Sequence, residues 1–119
     1  MNEWNVLASL HTLLPVSDDE RDELLSLCRT AVETILPRLK ESADPDDPRL
    51  LQAAAGVAYY SYMLRKSAAD ADMAYFKAGD VTVRRMGDAA VKRAESVRDA
   101  LMLPALTLLQ DEQFLFRSV

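Results

Sequence analysis

The chain has 119 residues, 50% apolar and 28% charged, with a formal net charge of −5; this is the composition of one ordinary globular domain and excludes a disordered chain. Three glycines make Gly-rich phosphate cradles scarce, and the single Cys28 excludes an internal disulfide and fits a reducing cytoplasm. No apolar run reaches the ~18 residues of a membrane span, and MNEWNVLASLHTLL lacks the basic n-region and cleavage site of a signal peptide.

A first short helix is predicted over Asn2 to Leu14, with Trp4, Leu7, Ala8, Leu10, Leu13 and Leu14 mostly on one side and Pro15 as its stop. The second helix should start at Ser17, where Glu20 three positions on completes a capping box and Asp18 and Asp19 favour the positive helix end. Leu24, Leu25, Leu27, Cys28, Ala31, Val32, Ile35 and Leu36 then recur at helical spacing until Pro37 kinks or ends the helix. After SADPDDPRL, Asp47 is placed to cap a third helix and Pro48 suits its first position.

That third helix, from about Pro48 to Lys66, is the most informative stretch. Within Leu50 to Leu64 only Gln52, Ser61 and the hydroxyls of Tyr59, Tyr60 and Tyr62 are polar. A helix that is apolar all round must be covered all round, and so short a chain has few helices to do it. A buried core helix is the leading explanation, with an inter-subunit surface as its competitor. Ala53, Ala54, Ala55, Gly56 and Ala58 permit close backbone approach, while the tyrosines offer contact area with polar tips.

From Ala74 the run AYFKAGDVTV carries β-favouring residues on both sides of Lys77-Ala78-Gly79-Asp80, which predicts a small hairpin or extended arm over 73–84. Gly79 would supply a positive φ, and so small a hairpin must lie against something. The last helix should run from Gly87 or Asp88 to about Gln110, bent at Pro104, with Val91, Ala94, Val97, Leu101, Ala105, Leu108 and Leu109 inward. Lys92, Arg93, Glu95, Ser96, Arg98 and Asp99 then fall mostly outside this stripe. Phe114, Leu115 and Phe116 make the C-terminal FLFRSV too apolar for a free tail. The expected fold is all-α: one domain, residues 1–119, a bundle of about four helices with a short β-hairpin or extended arm before the last.

Charge is uneven along the chain. Residues 1–48 hold eleven acids and four bases, a balance of −7; residues 49–119 hold eight acids and ten bases, a balance of +2. Solvated faces account for this most simply, and the alternative is an acidic half of one subunit meeting a basic half of the next.

Little in the sequence points to catalysis. His11 is the lone histidine with no paired His or Cys, and Cys28 on an apolar stripe reads as a packed hydrophobe. Asp44, Asp46 and Asp47 suit turns and caps rather than a calcium loop, while Asp70 and Asp72 lack a third convergent ligand in sequence. Arg84, Arg85, Lys92 and Arg93 lack the aromatic interleaving of a nucleic-acid face and fit salt bridges better. No catalytic, cofactor or metal residue is therefore assigned.

The order of features does resemble a known family. An acid-led helix, DDERDELLSLCRTAVETI, precedes an acidic Pro-containing loop and a second apolar helix ending in Tyr62-Met63-Leu64-Arg65. This is similar to the head–tail connector, or adaptor, proteins of long-tailed bacteriophages and prophages, with their Leu-x-x-Leu-x-x-x-Ala start and later Tyr-x-x-Arg. Phe76 to Val83 looks like a run in small prophage proteins of Gram-positive bacteria, so the likeness covers roughly residues 17–83. The segment Met1 to Pro15 and the prolonged final helix depart from the simplest family pattern.

The resemblance implies a ring of subunits between portal and neck or tail proteins, with DNA passing through without specific binding. It implies no cofactor, no reaction and no membrane, and a life in the bacterial host cytoplasm followed by the virion neck. Contacts with other copies or partners would then fall to Tyr59, Tyr60, Tyr62, Arg65, Phe76, Gly79, Val81, Val83, Phe114 and Phe116. Two other classes compete: a regulatory helical module that binds a protein or peptide, and a hydrolase with a metal held by Asp70, Asp72 and other acids.

Overall fold

The computed structural model describes the backbone of residues 1–77 and 81–110 and the side chains of residues 1–68 and 89–110. It contains four α-helices in chain order: α1 (Glu3–Leu10), α2 (Arg21–Ile35), α3 (Pro48–Lys77) and α4 (Val81–Met102). Two 3₁₀ segments, Leu36–Arg38 and Leu103–Leu108, come directly after α2 and α4, and each carries a proline near its start. The described residues include no strand, only an isolated antiparallel bridge between Leu39 and Leu109. The all-α expectation therefore holds.

Local chemistry sets most helix ends. The Asn5 amide donates to the Asn2 side chain at 2.9 Å, capping α1. Asp47 accepts from the Arg49 amide at 2.9 Å, and Pro48 occupies the first position of α3. Ser17, by contrast, is not the N-cap of α2. Residues 18–20 form a turn, and the helix begins at Arg21 with no side-chain cap on its amides. The Ser17 hydroxyl lies 3.3 Å from Glu20 Oε1, while the other Glu20 oxygen accepts from the Tyr62 hydroxyl. Pro37 and Pro104 each fall just past an α-helix, so α2 and α4 finish in 3₁₀ turns. The last helix therefore stops at Met102 rather than bending through to Gln110.

The larger correction concerns the expected arm. α3 continues eleven residues past Lys66, and α4 begins at Val81, so Ala74–Lys77 and Val81–Arg84 have helical backbone where strands were expected. Residues 78–80, including Gly79, lie outside the described residues. β propensity spans only ~1 kcal/mol and yields to tertiary context, and here a long helix already in progress meets an antiparallel partner helix.

α3 is the centre of the body and packs against α1, α2 and α4. Leu50, Ala53, Ala54, Ala55, Ala58 and Tyr62 are buried there with Val6 and Leu10 of α1, Leu24, Leu27, Cys28, Ala31, Val32 and Ile35 of α2, and Met102, Ala105 and Leu109. The nearly all-apolar segment is thus a core helix covered within one chain. A bridge at the far end ties the C-terminal segment back to α2: the Lys40 amide donates to Leu108 O at 3.0 Å, and the Gln110 amide to Arg38 O at 2.7 Å. The Gln110 side chain adds a bond to Leu39 O at 2.7 Å.

The α3–α4 contact is tightest at Gly56. A Cβ there would stand 3.2 Å from both Arg98 Cα and Leu101 Cδ1. Only a residue without a side chain leaves room for that approach, which sets how close α4 lies. Replacement by valine forces an over-packed contact, costing about 2 kcal/mol. Gly56→Val is therefore expected to melt ~5 °C or more below the parent chain by circular dichroism, while an unchanged midpoint would show that the helices separate freely.

Candidate interaction surface

The body ends well before α3 does. At the N-terminal end of α2, Tyr62 donates to Glu20 and Arg65 stands 3.9 Å from Glu23, so α2 is level with residues 62–65 of α3. Lys66 to Lys77, twelve residues of α3, continue beyond, about 18 Å at 1.5 Å per residue. The antiparallel register set where Gly56 meets Arg98 and Leu101 pairs this stretch with the first half of α4. The two helices form a shaft that reaches past α1 and α2. Consistent with this shape, the radius of gyration is 15.3 Å and the extents are 53 × 32 × 19 Å, whereas a compact chain of this length would have a radius of about 13.5 Å.

The shaft is little covered. No side chain is buried among residues 63–68 and 89–93, and Leu64, Arg65, Lys66, Lys92 and Arg93 are exposed. Leu64 is a large apolar side chain at 46% exposure. Net charge divides along the same line. Residues 64–93 hold seven bases and four acids, a balance of +3. The remainder, 1–63 with 94–119, holds fifteen acids and seven bases, a balance of −8.

The residues expected to make contacts separate into three groups. Tyr62 is buried and bonded to Glu20, with Lys66 Nζ 6.0 Å from its ring centroid, so it belongs to the body. Tyr59 packs against the core at partial exposure, and Tyr60, also half-buried, lies under the Arg98 guanidinium at 4.4 Å. Arg65 is exposed at the foot of the shaft. Phe76 sits in the last turn of α3, with Val81 and Val83 in the first turn of α4. The side chains of these three, and Gly79, Phe114 and Phe116 entirely, lie outside the described residues.

Arg98 departs from its expected place on the outer face. It is only 8% exposed, its Nε donates to Asp99 Oδ1 at 3.0 Å, and its Nη2 lies 2.9 Å from the same oxygen. The neighbouring acid and the Tyr60 ring together compensate the burial of this charge, through an ion pair and a cation–π contact. Helical spacing placed Arg98 among polar neighbours, and only the position of Tyr60 on another helix reveals why it turns inward.

A second feature lies on the body. Trp4, Leu7, Ala8 and His11 of α1, with Val16 and Arg21, line an open groove of about 340 Å³. Trp4 is 59% exposed on its edge, and His11 is exposed at the end of α1. The acidic loop behaves as turn and capping chemistry: Asp44 accepts from the Asp46 amide at 2.9 Å, Asp46 pairs with the amino group of Met1, and Asp47 holds Arg49. The Arg49 guanidinium and amide keep the Asp47 carboxyl below the ordinary carboxylate range. The side chains of Asp70 and Asp72 lie outside the described residues.

Among the described residues no group of three or more His, Cys, Asp or Glu is placed to hold a metal ion, and no helix is long and apolar enough to cross a membrane. Comparison with known proteins found no matching family model, no matching curated protein and no matching solved structure.

Cys28 is fully buried in the core. Burial pushes its thiol up to about 12, with the nearby Glu3 charge adding to the effect. At about pH 8 it is therefore expected to resist a thiol-specific reagent until denaturant is added, because only the thiolate reacts. The unfolded chain loses this proton first, from an ordinary 9.0, so stability should fall as pH rises from there toward 12. Rapid labelling of the folded chain would contradict this account of the core.

Proposed function

We propose that this chain is a structural assembly subunit: a phage- or prophage-type head–tail connector whose copies form a ring between the portal and the neck or tail proteins. One observation carries the reading. A body whose core is closed within the chain bears a two-helix shaft that runs about 18 Å past it with few covered side chains. Such a shaft contributes little to the body's own core, yet offers a neighbour two helix faces. The resemblance over residues 17–83 names the kind of assembly.

In this reading Phe76, Val81 and Val83, at the far end of the shaft, touch the adjacent subunit. Phe114 and Phe116 add contacts from the C-terminal segment. DNA passes through the ring without specific binding, and the acidic body keeps it from adsorbing, since like charges repel. No reaction and no cofactor enter the reading. The protein would act in the bacterial host cytoplasm during assembly and then in the virion neck.

Light scattering after size exclusion, over a wide concentration range and with and without a portal ring, tests this directly. Rings formed alone or on the portal are expected, and a strict monomer that ignores the portal would contradict the reading. Phe76→Asp should weaken assembly while the far-ultraviolet helical signal stays intact. Equal loss of both would assign Phe76 to the monomer core.

The groove beside Trp4 favours one other reading, a small helical module that binds a protein or peptide segment and serves regulation. Trp4 is the chain's only tryptophan, so its emission reports on that groove. A blue shift on adding a binding partner, in a chain indifferent to the portal, would support this alternative; unchanged emission would count against it.

A further inference from the structure

We propose that the shaft of one copy docks, head to tail, on the acidic N-terminal end of α2 in a second copy of this chain. The inference rests on the assembly reading and names the surfaces that meet.

On the shaft, Leu64, Lys66, Lys92 and Arg93 are exposed, and the +3 balance of residues 64–93 contrasts with the −8 of the rest. At the start of α2, residues 18–23 hold Asp18, Asp19, Glu20, Asp22 and Glu23 against Arg21 alone, a balance of −4. Part of this acidity is already used inside the chain. Glu20 accepts from Tyr62, Glu23 faces Arg65 at 3.9 Å, and Asp18 faces Arg21 at 3.4 Å. Asp19 and Asp22 are exposed, as are Lys92 and Arg93, and none of the four has an ion pair among the described residues.

Geometry keeps these groups from pairing within one chain. The base of the shaft already meets α2 at residues 62–65, and the helices then lead away from the body. Unlike charges held apart on one rigid molecule are free to meet between two, and Leu64 at 46% exposure gives the contact an apolar centre. The two surfaces differ, so the contact is heterologous: it closes into a ring when the rotation between copies divides a full turn, and otherwise runs on as a filament. Four interspersed acids, Asp70, Asp72, Asp80 and Asp88, suit the shaft to a protein of mixed charge better than to a polyanion.

The test is a charge exchange on the full chain, followed by sedimentation velocity at low and high salt. Lys92→Glu with Arg93→Glu reverses the shaft, and Asp19→Lys with Asp22→Lys reverses the end of α2. All four positions are exposed, so the helical signal should not change. Parent chain is expected to self-associate in a concentration-dependent way that salt weakens. Each double variant alone should associate about tenfold more weakly or worse. An equimolar mixture should recover association, because every contact between unlike copies again joins opposite charges.

Parent chain that stays monomeric at low salt would overturn the proposal, as would double variants that associate normally or a mixture that recovers nothing. Binding of labelled duplex DNA to the shaft without self-association would overturn it in favour of a nucleic-acid face. The two readings fail separately. Assembly on a portal ring that ignores the reversals sinks this contact alone, whereas charge-dependent association of a chain indifferent to portal rings sinks the connector reading alone.

Discussion

The arrangement depends on a stretch of α3 where side chains are small or missing. Ala53, Ala54, Ala55, Gly56 and Ala58 let three other elements approach one helix within a chain of 119 residues. Gly56 is the limiting point, because Arg98 Cα stands where a further methyl group would crowd it. Close approach brings the guanidinium of Arg98 over Tyr60 and lets its burial be compensated by Asp99 and the ring together. It also fixes the antiparallel register of α3 and α4, and that register decides where the two helices leave the body.

The register divides the labour along one helix. From Leu50 to Tyr62, α3 is a core element, packed by α1, α2 and the end of α4. Beyond Arg65 it has only α4 beside it, and the described side chains there are charged or partly apolar and open to solvent. The sign of the charge changes at nearly the same place, from an acidic body to a basic shaft. A chain built this way satisfies its hydrophobic requirement alone and keeps a separate surface for a neighbour. An assembly subunit needs that combination if it is to stay folded before its partners arrive.

Much of the body was legible from residue order, because its signals are local. Asp47 and Pro48 announce the start of α3, Pro37 and Pro104 announce where α2 and α4 finish, and the stripe from Leu24 to Ile35 identifies the core face of α2. The misreadings share a cause: each was decided by a residue distant in sequence. Ser17 and Glu20 looked like a capping box, but Tyr62 takes one oxygen of Glu20 and α2 starts a turn later. Arg98 sits among polar neighbours, yet Tyr60 draws it inside. Tyr75, Phe76, Val81 and Val83 carry β propensity, but the backbone at these positions belongs to two paired helices. The shaft itself was therefore hidden, although the basic residues that mark it were in plain view.

The central claim is that α3 serves the chain's own core in its first half and a second copy beyond it. Amide hydrogen exchange as a function of protein concentration measures both halves at once. Peptides spanning residues 50–58 should be protected at every concentration, while those spanning 64–68 and 89–93 should gain protection only as copies associate. Association that leaves the shaft peptides unchanged, or that first brings protection to residues 50–58, would contradict the account.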